Sequence, residues 1–205
     1  MRRALFIALA LLTGTAWSAD VTLPDYERIE LENGAVLLLS EKHDVPLVGM
    51  RAVVRGGSAA DPDGRAGLAD LLATVIQKGA GKRNAAEFAE AAAGVGGSLS
   101  AGASLEAISV SAEFLSRDVE LMIELVADML MQPTLSEEEF EKERNRSIAL
   151  IQAAKGSDPS RLMPAYANAF IFGNHAYGNP SGGSEATLAE LAHEDIKQYY
   201  ADFFG

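Results

Sequence analysis

The stretch from Gly96 to Asn145 constrains the fold more than any other part of the chain. It reads GGSLSAGASLEAISVSAEFLSRDVELMIELVADMLMQPTLSEEEFEKERN. Ser98 to Ser111 alternates apolar and polar residues, the period of two that belongs to half-buried strands. A tight connection near Ser104-Leu105 makes it a strand pair. From Asp118 to Met131 the apolar spacing changes to that of an amphipathic helix, which Pro133 ends. Ser136 and Glu139 then form a capping box for a further helix running towards Lys155. A hairpin followed directly by two helices must lay those helices across one face of its sheet, because only there can both apolar faces be buried.

The rest of the chain extends the same plan. Tyr26 to Ser40 alternates around Asn33-Gly34, a signal for a two-residue hairpin. Leu47 to Arg55 is a third strand, ended by Gly56-Gly57. Asp61-Pro62-Asp63-Gly64 is a turn, and an apolar-faced helix opens at Gly67 and runs to Lys78-Gly79. Ala85 to Val95 is a helix stopped by Gly96-Gly97. Pro159 to Phe172 is helical, Gly173 to Gly183 is loop, and His193 to Phe203 is the last helix. The predicted fold class is α+β, a largely antiparallel sheet with helices packed on one face.

Composition narrows the function. The 205 residues are 48% hydrophobic and 22% charged, enough for an ordinary globular core, and the formal net charge is −12. Such acidity, with no Lys/Arg cluster, disfavours nucleic acid and anionic membranes as partners. There is no cysteine, which removes disulfides and thiolate chemistry. Arg2 and Arg3, the apolar run Ala4 to Leu12 and Ala16-Trp17-Ser18 form a leader of the secretory type, cut near Ser18 or Ala19. The apolar run falls short of the roughly 20 residues a spanning helix needs. Residues 1–19 are therefore read as a signal peptide and residues 20–205 as a single domain, periplasmic or secreted, with no membrane attachment after cleavage.

The Gly96–Asn145 block, the Asn33-Gly34 hairpin, the Gly67 helix and the ending HAYGNPSGG…LAELAHEDIKQYYADFF together resemble the first domain of the pitrilysin/insulinase-type, or inverzincin, peptidases. The resemblance covers nearly all of the mature chain. Family chains carry two such domains that close around a peptide. The resemblance implies that residues 20–205 form the first of them, incomplete at its C-terminus before the last strand or strands, with no second domain.

In that family a helical His-x-x-Glu-His supplies two zinc ligands and the base that activates the bound water, and a distant Glu completes the site. Carried over, the ligand positions fall on Asp70 and Thr74 and the base on Ala73. Matching Glu143-Arg144 to the family's Glu-Arg pair places the distant ligand on Leu150. A lone carboxylate with a Thr hydroxyl does not make a catalytic zinc site, and neither Ala73 nor Leu150 can ligate or accept a proton. No metal and no cofactor is predicted, although active relatives use zinc. Leu150 suggests that the former metal cavity is filled. Asp70 has an ordinary role open to it, as a charge favoured in the first turn of a helix. His43, His175 and His193 show no ligand spacing and read as surface residues, and no Gly-x-Ser-x-Gly elbow is present.

The family's second functional element is an edge strand that pairs with the substrate backbone. It should lie within Gly97, Ser98, Leu99, Ser100 and Ala101. Pairing of this kind uses main-chain hydrogen bonds and outlives the loss of catalytic side chains. Three readings follow. The first is a non-catalytic subunit, paired as a hetero-oligomer with a catalytic His-x-x-Glu-His homologue and helping to enclose a peptide substrate. The second is an active zinc metalloendopeptidase with ligands not identified here. The third is a stand-alone peptide-binding or chaperone-like domain.

Overall fold

The computed structural model describes residues 24–204. The proposed leader, residues 1–19, lies outside them. The chain divides into two units, one reaching Val45 and the other starting at Pro46.

In the first unit, β1 (Glu27–Glu30) and β2 (Val36–Leu39) pair antiparallel, Glu30 facing Val36. The connection differs from the two-residue turn predicted at Asn33-Gly34. Leu31 N donates to Ala35 O, Gly34 N donates to Leu31 O, and Gly34 has φ +83°. This is a three-residue loop, a tight turn followed by one left-handed residue, and Gly34 fits it because it has no Cβ to clash. Asn33 Oδ1 accepts from Ala35 N at 3.1 Å and braces the turn.

The second unit is built on an antiparallel sheet in the order β3-β7-β6, comprising β3 (Leu47–Arg55), β6 (Ser98–Ala103) and β7 (Ala107–Leu115). Between them in sequence lie α1 (Leu68–Val75), a two-rung hairpin of β4 (Gly79–Ala80) and β5 (Arg83–Asn84), and α2 (Ala85–Ala93). After β7 come α3 (Val119–Met131), α4 (Glu137–Ser157), α5 (Met163–Phe172), α6 (Glu185–Ala189) and α7 (His193–Phe204). The inward residues of β7, Ile108, Val110, Ala112 and Phe114, are all buried. So are Leu68, Leu72 and Ile76 around α1, Met122, Leu125 and Met129 of α3, and Ile196 of α7. Together they form one apolar core under one face of the sheet. The α+β reading therefore holds. β7 runs on to Leu115, past the predicted Ser111, because Ala112 and Phe114 continue the inward alternation. Phe114 also explains Gly97, where a Cβ would meet the Phe114 ring at 2.5 Å.

Ser136 caps α4 by accepting from Glu139 N at 3.3 Å. Two elements escaped the sequence reading, the β4–β5 hairpin and α6. The latter has its own capping box, with Ser184 and Thr187 bonded reciprocally. Among the described residues no helix is long and apolar enough to cross a membrane.

Candidate functional site

The helix α1 is fixed at its start by a residue six positions away. Gly67, at φ +98°, precedes the helix, and a Cβ there would meet Gly183 Cα at 2.8 Å. The Asp61 carboxylate accepts from Gly67 N at 2.8 Å and from Ala69 N at 2.9 Å, satisfying two of the free amides that open every helix. Burial pushes the Asp61 carboxyl up to about 6 despite those hydrogen bonds, and the charge of Asp70 adds to the rise.

The four positions at issue lie on α1 and α4. Asp70 is half-buried under the Gly182-Gly183 loop, where a Cβ on Gly182 would stand 3.7 Å from its Oδ2. Burial raises its pKa, and its carboxylate makes no hydrogen bond to a described residue. The Thr74 hydroxyl donates to Asp70 O at 3.1 Å, one turn back along its own helix. Ala73 is only 1% exposed. Leu150 departs from expectation, because it is 57% exposed and fills no cavity. It lies on the same line of α4 as the buried Phe140, Glu143 and Ala154, seven residues beyond Glu143, but nothing described covers it.

Does this constellation fit a zinc ion? It offers one carboxylate, a hydroxyl engaged by its own helix, a buried methyl and an exposed aliphatic side chain. Zinc in a peptidase site takes three protein ligands from nitrogen, sulfur or carboxylate oxygen and keeps one position open. Among the described residues no three His, Asp or Glu side chains stand close enough to hold a metal. The residues do not fit the ion.

The histidines are dispersed. His43 is exposed, 3.4 Å from Glu41, and His175 is exposed and accepts from Tyr177 N. His193 corrects the surface reading. It is half-buried, donates through Nε2 to Leu135 O and packs against the Phe140 ring. Leu135 has φ +44°, so this bond holds a backbone conformation that a leucine rarely adopts.

Two features were not legible beforehand. Glu143, 3% exposed, faces Lys78 Nζ at 3.0 Å and Arg146 Nη1 at 3.4 Å. The Lys78 ammonium stands off the hydrogen-bond directions of Oε1, so this contact is an ion pair. Gln77 donates through Nε2 to Ala73 O at 2.7 Å and to Ala101 O at 3.0 Å, joining the end of α1 to β6. Lys78 is remote in sequence from Glu143, and Ala101 from Gln77, so no spacing rule could have indicated these two contacts.

Of the five residues proposed for the peptide-binding strand, Ser98, Leu99, Ser100 and Ala101 lie in β6, and Gly97 immediately precedes it. Among the described residues β6 is an edge strand, paired to β7 on one side only. Ser104 N donates to Ala107 O at the hairpin end, and the register pairs Ala103 with Ile108, Ala101 with Val110 and Leu99 with Ala112. Alternation along an antiparallel ladder then turns the N–H and C=O groups of Leu99, Ala101 and Ala103 away from β7, towards the open edge. That row of donors and acceptors is what an added strand requires.

Comparison with known proteins agrees with this architecture. The model of the insulinase family, peptidase family M16, matches residues 36–183. The "Uncharacterized zinc protease YmxG" of Bacillus subtilis is 26% identical over 87% of the chain and 43% of its own length. The "Non-peptidase homolog YmxG" of Helicobacter pylori is 25% identical over 82% of the chain and 39% of its own. A crystal structure of a peptidase M16 inactive domain from Pseudomonas fluorescens superposes with a TM-score of 0.80 at 21% identity, over 86% of this chain and 43% of that one. The chain thus spans about two fifths of the length of these two relatives.

Proposed function

The chain belongs to the insulinase family, peptidase family M16, and we propose that within it this chain is a pseudo-peptidase. In this reading it is a non-catalytic subunit that helps bind or enclose peptide beside a catalytic homologue carrying His-x-x-Glu-His. One observation carries the reading. At the four positions that the family resemblance assigns to the zinc chemistry, the chain has Asp70, Ala73, Thr74 and Leu150, which together supply neither a zinc-ligand set nor a general base at the assigned position.

The remaining chemistry is main-chain pairing. The outward groups of Leu99, Ala101 and Ala103 offer hydrogen bonds to an extended peptide, and they need no side chain to act. The non-peptidase homolog and the peptidase M16 inactive domain among the relatives support the loss of chemistry. The leader-like start, Arg2 to Ala19, supports export, so the partner is sought in the periplasm or outside the cell.

The test uses the exported protein, alone and mixed with an intact homologue from the same genome. Alone it should contain no stoichiometric zinc and cleave no unfolded substrate. Mixed, it should co-elute with the homologue and raise its kcat/KM. One zinc per chain with chelator-sensitive hydrolysis would overturn the pseudo-peptidase reading. A homologue that neither associates nor changes rate would overturn the subunit role.

A further inference from the structure

We infer that the cleft beside the start of β6 is a side-chain pocket of the peptide-binding edge, and that it selects an aliphatic or aromatic residue. The inference rests on the peptide-binding reading above and deepens it, because strand pairing by itself is blind to sequence.

The geometry runs from backbone to side chain. Leu99 presents its N–H and C=O to the open edge, and its side chain packs against the core on the helix face of the sheet. Residues opposite one another on paired strands point to the same face. A peptide residue paired with Leu99 therefore aims its side chain at the helices. Beside Leu99 on that face opens a cleft of about 370 Å³. Its walls include Phe88 and Ala92 of α2 and Met129 of α3, all buried and all apolar. The one charged group lining it, Lys78, already faces the buried Glu143.

The chemistry of those walls decides what enters. An aliphatic or aromatic side chain gains by leaving water. A carboxylate or ammonium would lose its hydration and find no free partner of opposite charge, so it is rejected. Four of the wall residues, Phe88, Ala89, Ala92 and Ala93, come from successive turns of α2, so the pocket is set by a helix that packs independently of any peptide.

The test measures fluorescence anisotropy with labelled Thr/Gln host peptides carrying one central guest residue. Leu and Phe guests should bind about tenfold tighter than Glu or Lys guests, the ratio that burial of one such side chain supplies. Ala89 lines the cleft but is exposed, so Ala89→Phe fills it from outside without disturbing the core. This variant should erase the preference among guests. Ala93→Phe, at another exposed lining position, serves if the first variant does not fold. Ala101→Pro removes an outward N–H and should weaken all guests alike, its fold checked by circular dichroism. Equal affinities for all guests, or a preference that survives filling, would overturn the pocket and leave strand pairing standing. Binding of no peptide at all, or binding indifferent to Ala101→Pro, would overturn the peptide-edge reading and this inference with it.

Discussion

Gln77 Nε2 stands 3.0 Å from the carbonyl oxygen of Ala101, on the side of β6 that faces away from β7. The same amide also donates to Ala73 O at 2.7 Å, so one side chain ties the last turn of α1 to the open edge of the sheet. Ala73 is the position that the family resemblance assigns to the base, and Ala101 belongs to the proposed peptide-binding strand. A single glutamine thus joins the two regions for which a role is proposed.

That joint has a consequence for binding. An incoming strand must compete with Gln77 for the Ala101 carbonyl. Gln77→Ala should tighten binding of an extended peptide several-fold, since a neutral hydrogen bond is worth about 1 kcal/mol. The same change should lower folding stability by about 1 kcal/mol, through loss of the tie to α1. Anisotropy titration and urea unfolding read the two effects separately. Weaker binding in the variant would show that Gln77 helps hold the peptide instead of competing with it.

Glu143 and Lys78 form a buried ion pair between α4 and the segment after α1, the acid almost inaccessible and the base 28% exposed. Removing one partner leaves an unmatched charge inside the protein. Lys78→Met should cost about 3 kcal/mol, reduced to the extent that Arg146 and water reach Glu143. The double variant Lys78→Met/Glu143→Leu should recover most of that loss, because neither charge is then buried. Denaturant midpoints of the wild type, both single variants and the double variant give the coupling directly. A double variant no more stable than Lys78→Met would contradict the assignment.

The helix cap gives a dependence on pH. Burial raises the Asp61 carboxyl from 3.8 to about 6, and Asp70 shifts in the same direction for the same reason. A folded-state pKa above the unfolded value means that the folded protein favours the protonated form. The contribution of Asp61 to stability is therefore fully present below about pH 4 and is lost as pH rises through about 6. Asp61→Asn should flatten the stability profile across that window, measured by thermal unfolding at fixed ionic strength against the wild type. It should also lower stability overall, because an amide supplies one acceptor oxygen for the two amides of Gly67 and Ala69. An unchanged slope between pH 4 and 6 would refute the role given to Asp61.

What the sequence made legible was governed by range. The alternation of β3, the glycine stops at Gly96-Gly97 and the cap at Ser136 are local signals, and each lies where its spacing put it, while β7 runs four residues beyond its predicted end. The loop at Asn33-Gly34 was correctly located but had one residue more than predicted, because the dipeptide is compatible with both turns and the Leu31–Ala35 pairing decides between them. Helix α6 has five residues, too few to show a helical period. Asp61 caps a helix from six residues away, and Glu143 meets Lys78 across 65 residues of chain, distances at which no pattern of neighbours speaks. Leu150 is the instructive error. Its apolar character suggested burial, yet it ends the buried line of α4 at a place where no other described residue covers it.

That error changes what rebuilding the zinc signature should do. If Leu150 filled a cavity, Leu150→Glu would be the damaging step in restoring the ligands. Because Leu150 is 57% exposed, a glutamate there remains hydrated and should change stability by under about 0.5 kcal/mol. The difficulty moves to Ala73, which is 1% exposed, so Ala73→Glu forces a methylene and a carboxylate, four further heavy atoms, into packed space. The triple variant Asp70→His/Thr74→His/Leu150→Glu should fold near wild-type stability and bind zinc, raising its melting temperature as metal is added. Adding Ala73→Glu should cost at least about 2 kcal/mol in the absence of metal, and zinc should recover part of that loss. Neither variant should hydrolyse peptide efficiently, since one domain alone does not hold a substrate in reacting geometry. Calorimetry with and without zinc, and a peptide-cleavage assay on both variants, decide the matter. A quadruple variant as stable as the triple one without metal would show that α1 has room for the base after all.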